Sequence, residues 1–424
     1  MIDYTEKQDR IINIFFRTVL VGTIAAMLGI IIYFIIAYSA KTNGSDYFDW
    51  LLGVFSDFVV IMDTSIGVSP YITDGASYPP LAIIILYPFA LICKSVYAKY
   101  SSENLTVDEL TSKMVLTPQF WIAMVLFFAI CSAAIIYLIS KKYGLHGTRF
   151  FKVAVIIIFS APFVYAVMRG NTIYFALVFL LVFLLLKDSE KAWVREISYI
   201  FLALAGCIKI YPLFFGVFLL KDKKIFASVR VAIYTFFIFY LSFFIFERGI
   251  VDFSVFLGNL GGFITEDNRL IAANNLSISG LIYKILYFVT PLNTSGSTAY
   301  CIANWTVLAV VFIVSTIAAV ATRSDFSRYV ISFAIVVLIP SISYFYVLVF
   351  AILPFMEYIK NYEKMSRNKQ KLYFCSFMVL FITFFILPKF FVLHSAVVLT
   401  MLVVELVSVY KNEIFSGTSR RRIR

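Results

Sequence analysis

Apolar runs long enough for membrane-spanning helices recur from one end of the chain to the other, parted by short polar or basic breaks. Crossing roughly 30 Å of hydrocarbon takes about 20 helical residues. The runs at 14–39, 80–97, 118–140, 153–168, 171–186, 228–246, 302–321, 372–387 and 391–410 read as spans or parts of spans. Two further stretches, 187–224 and 328–359, are basic at both flanks and broken in the middle. The breaks are Lys209-Ile210-Tyr211-Pro212 and Pro340-Ser341-Ile342-Ser343. Basic flanks favour one side of a bilayer, so each stretch predicts two short helices that meet at a polar tip. Exposed backbone at membrane depth is tolerated only where it lines a cavity or is buried in protein. Both tips are therefore candidate walls of a site.

The predicted fold class is an all-α polytopic transmembrane helical bundle of about 12–14 spans. Counted run by run the spans come out odd, although charge places both ends on one side; the parity breaks somewhere in 98–168. Lys7, Arg10 and Arg17 at one end, and the tail 411–424 with Arg420-Arg421-Arg422-Ile423-Arg424, predict both termini cytoplasmic in a multi-pass cell-membrane protein. The stretches 40–79 and 247–300 carry acids and are expected outside. Within the second, 278–292 is amphipathic and suits the membrane interface. Residues 12–39 are too long for a secretory leader and lack a cleavage site, so they read as a retained span. No soluble domain, repeat or low-complexity linker interrupts, so 1–424 reads as a single transmembrane domain.

Composition agrees. Of 424 residues, 62% are hydrophobic and 14% charged, too few charges to coat a water-exposed surface. The net charge of +12 sits in clusters between apolar runs, which reads as membrane topology and not as a nucleic-acid footprint. Cys93, Cys131, Cys207, Cys301 and Cys375 have no metal-ligand or redox spacing and read as small core residues. His146 and His394 are isolated. No metal site and no cofactor are expected, although divalent-metal dependence stays open.

Four features carry candidate chemistry. Asp46, Asp49, Asp57 and Asp63 follow the first span. They are either solvated loop acids or the source of a general base held at the membrane surface. Asp49 is favoured over Asp46, because Trp50-Leu51-Leu52 would pin it, while Asp46 adjoins the Thr42-Asn43-Gly44-Ser45 turn. Tyr78-Pro79-Pro80-Leu81 opens the second span, where proline suits a first helical turn. Arg169-Gly170-Asn171 stands between two apolar runs, where the arginine either clamps an anion or anchors at headgroups. Lys209 is the one basic residue between Arg195 and Lys221. It either snorkels or, as its depth favours, has a functional role.

In this order the features resemble the glycosyltransferase-C superfamily, and most closely glycosyltransferase family 87. An acid follows the first span (Asp49 or Asp46). Tyr78–Leu81 matches a Tyr-Pro-Pro-Leu opening of the second. Gly170-Asn171 stands where Gly-Gln is commoner, and Lys209-Ile210-Tyr211-Pro212 matches a Lys-x-x-Pro signature. Asn275-Leu276-Ser277 lies in the second outward loop, and Pro340–Tyr346 matches a Pro-x-Ser with an aromatic pair. The resemblance covers about 40–350. It implies an inverting, mannosyltransferase-like enzyme that moves a mannose-like hexose or a pentose from a polyprenyl-phosphate carrier to a glycan or glycolipid acceptor outside. On that pattern Asp49 or Asp46 is the base, and Lys209, Arg169 and Arg269 hold the donor phosphate. Tyr78, Pro79, Asn171, Tyr211 and Asn275 line the substrate pocket, and the partners are membrane lipids, the lipid-linked sugar and the acceptor. The competing readings are a lipid-linked saccharide flippase, a polysaccharide polymerase and a small-solute transporter. A transporter would call for internal symmetry, which the sequence lacks.

Overall fold

A computed structural model of the chain describes residues 4–39, 55–66, 70–72, 75–100, 103, 105–272, 274–289, 297–382 and 391–415. Among these residues the secondary structure is helical throughout, apart from one isolated bridge between Asn275 and Tyr344. Five helices are long and apolar enough to cross a membrane: Glu6–Gly29, Pro118–Tyr143, Ile225–Phe243, Thr298–Ala321 and Val392–Phe415. Their outward faces are apolar. Phe226, Val229, Ile233, Phe236 and Phe237 all stand exposed on Ile225–Phe243, a stripe that lipid accepts and water does not. The ends follow local rules. Thr117 accepts from the Phe120 N–H, Pro118 occupies the first turn, and Gly144 at φ 62° closes the helix behind Lys141 and Lys142.

Each broken stretch forms the hairpin that its charge pattern predicts. Ala192–Ile208 meets a 3-10 turn, Tyr211–Gly216, which runs on into Val217–Lys221. Asp325–Leu338 meets Phe345–Ala351 and Ile352–Asn361. Lys224 closes the base of the first hairpin on Asp188 at 3.2 Å, and Lys221 ties it to Asp325 at the base of the second at 2.8 Å. The tips converge as well, with the Tyr211 and Phe350 rings 6.1 Å apart. The second hairpin is buried along nearly its whole length and forms the centre of the core.

Contacts also gather the N-terminal region onto the face that holds the hairpin bases. Gln8 Nε2 donates to the Ile359 carbonyl at 2.9 Å, Arg149 pairs with Asp9 at 2.6 Å, and Tyr143 donates to Glu357 at 3.1 Å. The basic segment 141–152 therefore shares a face with the N-terminal helix.

The odd count traces not to 98–168, where charge points, but to the run just before it, expected to span 80–97. It is two helices, Pro80–Ile84 and Tyr87–Tyr100. It starts at the cavity described below, and Tyr97 ends by donating to the Val59 carbonyl at 2.9 Å. By Phe120 the chain is back against Phe55 and Phe58, with ring centroids 5.4 and 6.0 Å away. The run does not reach the basic face, and removing it restores an even count. The physical reason is the break at Ile85-Leu86 ahead of Pro88, which turns the run aside.

This arrangement makes a labelling prediction. In a background without the native cysteines, Thr265→Cys and Lys364→Cys should react with a membrane-impermeant thiol reagent from opposite sides. Both positions are exposed, so labelling of both from one side would refute the placement of the faces.

Candidate active site

The hairpin tips and five other segments enclose a cavity of about 610 Å³. The first tip contributes Lys209, Ile210 and Tyr211, and the second Pro340, Ser341, Ile342, Tyr344 and Tyr346. Tyr78 and Pro79 form one rim. The helix Asp252–Thr265 roofs the cavity with Phe253, Phe256, Leu257, Leu260, Phe263 and Ile264. These recur every three to four residues and so share one helical face. The same three-to-four spacing in the sequence is the signal for this wall, although no helix over 252–265 is among the expectations from sequence. The charged lining consists of Asp57, Arg169, Lys209 and Arg269, three cations and one carboxylate, so the cavity favours an anion.

Asp57 is placed by a backbone contact that only glycine permits. Helix Ser56–Ile66 lies directly against the end of Ala161–Arg169. Gly170, at φ +63°, closes that helix, and a Cβ there would stand 2.3 Å from Phe58 Cβ. Glycine both adopts the left-handed turn and leaves room for the approach. Asp57 then pairs with the Arg169 guanidinium and accepts from Asn171 Nδ2 at 2.8 Å. Asn171 is itself fixed, because its Oδ1 accepts from the Ile173 N–H at 3.0 Å. Arg169, Gly170 and Asn171 thus act together on one carboxylate.

Lys209 follows the last turn of Ala192–Ile208 in extended backbone. Its Nζ lies 4.8 Å from the Tyr78 ring centroid and 5.8 Å from that of Tyr346. Among the described residues it forms no ion pair, so aromatic faces hold it in place of a carboxylate. Arg269 pairs with Glu266, stacks over Phe263 at 4.1 Å and shares the cavity lining with Tyr344. The Tyr211 hydroxyl is buried on the wall with no partner among the described residues.

The residues expected from sequence sort into three groups. Lys209, Arg169, Arg269, Tyr78, Pro79 and Tyr211 all line this cavity. Asn171 and Asn275 are buried behind the wall and bond to residues that line it. Asp49 and Asp46 lie outside the described residues. Asp57, a member of the same acidic group, is the carboxylate on the wall among the described residues. No three His, Cys, Asp or Glu side chains among the described residues gather as a metal-binding group.

A second, apolar groove of about 810 Å³ runs from the cavity between the first hairpin, Ile225–Phe243 and Thr298–Ala321. The two spaces share Ile210, Tyr211, Thr235, Phe236 and Pro340. The chamber that carries the charged groups thus opens onto a lane lined by Leu213, Phe214, Leu220, Val231 and Phe312.

The family model described as glycosyltransferase family 87 matches residues 77–350. No curated protein and no solved structure matched the chain.

Proposed function

The chain belongs to glycosyltransferase family 87, and from that premise we propose that it transfers a mannose-like hexose or a pentose from a polyprenyl-phosphate carrier to an envelope lipid or polysaccharide. The coarse activity is that of a membrane glycosyltransferase. The observation that carries the finer reading is the joining of an anion-favouring chamber to an apolar groove. A sugar phosphate on a long isoprenoid needs both at once. The phosphate sits by Lys209 and Arg269, and the tail lies along Leu213, Phe214 and Phe312.

In the proposed reaction the acceptor hydroxyl gives its proton to the Asp57 carboxylate. Its oxygen attacks the anomeric carbon from the side opposite the phosphate. The anomeric C–O bond breaks, and its electron pair leaves on the polyprenyl phosphate, so the configuration inverts. Lys209 and Arg269 stabilise the charge that develops on the leaving phosphate. Arg169 and Asn171 hold Asp57 in one orientation, which is the positional part of catalysis. Asp49 and Asp46 are kept as rival bases, to be tested beside Asp57. The active site faces outside, and both termini are cytoplasmic.

Lys209→Met should weaken use of the donor by about tenfold or more, because a charge-assisted contact is worth about 1.5–3 kcal/mol. An unchanged donor dependence would return Lys209 to a snorkelling role. The whole reading is tested by sugar transfer in vesicles that hold the purified protein and undecaprenyl-phosphate mannose, with other polyprenyl-phosphate sugars as further donors. Movement of a lipid-linked saccharide across the vesicle without transfer would put the flippase reading first.

A further inference from the structure

We infer that Asn275 is a positioning residue: it holds Arg269 and the 340–346 tip in register, so that the arginine reaches the donor phosphate. This rests on the reading of the cavity as the donor site. Asn275 is 2% exposed and does not line the cavity, which leaves it no direct contact with a ligand there. Its amide joins two segments that lie far apart in the chain. The Nδ2 group donates to the carbonyls of Arg269 at 3.3 Å, Leu270 at 3.5 Å and Ser341 at 3.3 Å. Its Oδ1 accepts from the N–H groups of Ser277 at 3.2 Å and Ser343 at 3.0 Å. One end of the amide thus holds Arg269 by its own carbonyl, and the other holds Ser343, the residue next to Tyr344, which lines the cavity with Arg269.

Neighbouring backbone strengthens the joint. Leu276 N–H donates to the Ser343 carbonyl at 2.7 Å, and Ser277 Oγ to the Ser341 carbonyl at 2.8 Å. Gly280 leaves the space, since a Cβ there would stand 2.7 Å from Asn275 Nδ2. A carboxamide is required because the joint needs a donor and an acceptor on one short side chain. Aspartate has the same shape and keeps the acceptor, but it turns the donor into an anion facing three carbonyls.

The experiment measures binding of undecaprenyl phosphate to the full chain in lipid nanodiscs, for single variants and their pairs. Arg269→Gln and Asn275→Asp should each weaken binding by about tenfold. Together they should weaken it no more than the worse of the two, because both remove the same contact. Asn275→Asp paired with Lys209→Met should show the product of the single losses, because Lys209 stands on the first tip with Tyr78 as its nearer aromatic face. A residue that only supports the fold would lower the thermal midpoint and leave affinity as it was. The inference is overturned if Asn275→Asp binds like the parent, or if its loss multiplies with that of Arg269→Gln. If Arg269→Gln and Lys209→Met both bind like the parent, the donor-site reading fails, and the role of Asn275 falls with it. Should Asn275→Asp not accumulate, Ser277→Ala removes one tie to Ser341 and enters the same cycle. It should weaken binding by about threefold without multiplying with Arg269→Gln, and parental affinity in Ser277→Ala would overturn the inference.

Discussion

Asp57→Asn should lower sugar transfer by about 10²–10⁴, the usual cost of removing a general base, while the protein still reaches the membrane at the parental level. Asparagine keeps the shape of the side chain and can still accept from Asn171 Nδ2. It loses the charge that pairs with Arg169 and the capacity to take the acceptor proton. The comparison that gives the result its meaning is with Asp49→Asn and Asp46→Asn, assayed in the same vesicles. If Asp57 is the base, those two should transfer sugar at rates far nearer the parent. A parental rate in Asp57→Asn, with either of the others dead, would move the base to that residue. Activity in all three would remove the acid from the mechanism and favour the flippase or transporter.

Gly170→Ala should be the most damaging small substitution in the protein. Two costs add. The left-handed turn at φ +63° disfavours any Cβ by about 1–2 kcal/mol. The new methyl would also meet Phe58 Cβ at 2.3 Å and its Cα at 3.3 Å, and overpacking of this kind costs about 1–3 kcal/mol. Relief requires helix Ser56–Ile66 to back away, which pulls Asp57 off Arg169 and Asn171. Gly147→Ala is the control. Gly147 has φ +55° with nothing within 4 Å of a built Cβ, so it bears the backbone cost alone. Thermal unfolding in detergent, beside the transfer assay, should show Gly170→Ala losing more stability than Gly147→Ala and nearly all activity. Equal losses from the two substitutions would mean that the contact between Phe58 and Gly170 is not tight.

Much of the architecture was legible because bilayer physics writes it into local patterns. The two hairpins followed from basic flanks around Lys209–Pro212 and Pro340–Ser343, and both tips do line the cavity. Lys209, Tyr78 and Arg269 were also named from sequence. What escaped was set by contacts between distant segments. Nothing local says that the run at 80–97 turns aside, since its composition suits a span. The choice among the acids weighed nearby apolar anchors at Trp50-Leu51-Leu52. The position of Asp57, by contrast, depends on Gly170, more than a hundred residues away (the Arg169–Asp57 separation is 112). The family resemblance places Asn171 and Asn275 in the substrate pocket. Both instead satisfy buried protein groups, a role that sequence does not distinguish from binding.

The tie between the hairpin bases bears on how the chain is made. Lys221 finds its partner Asp325 only 104 residues later in synthesis, and Lys209 gains the Tyr346 face later still. A ribosome emits the chain from its N-terminus at about 5–20 residues per second, so the first half-helices wait several seconds beside the insertion machinery with a lysine at membrane depth. During that interval nothing from the second hairpin shields the charge. The tie between the two hairpins can therefore form only late, once residue 325 has been made. Chains stalled before residue 325 should be the ones that membrane quality control removes, and pulse-chase lifetimes of nested truncations would reveal the step.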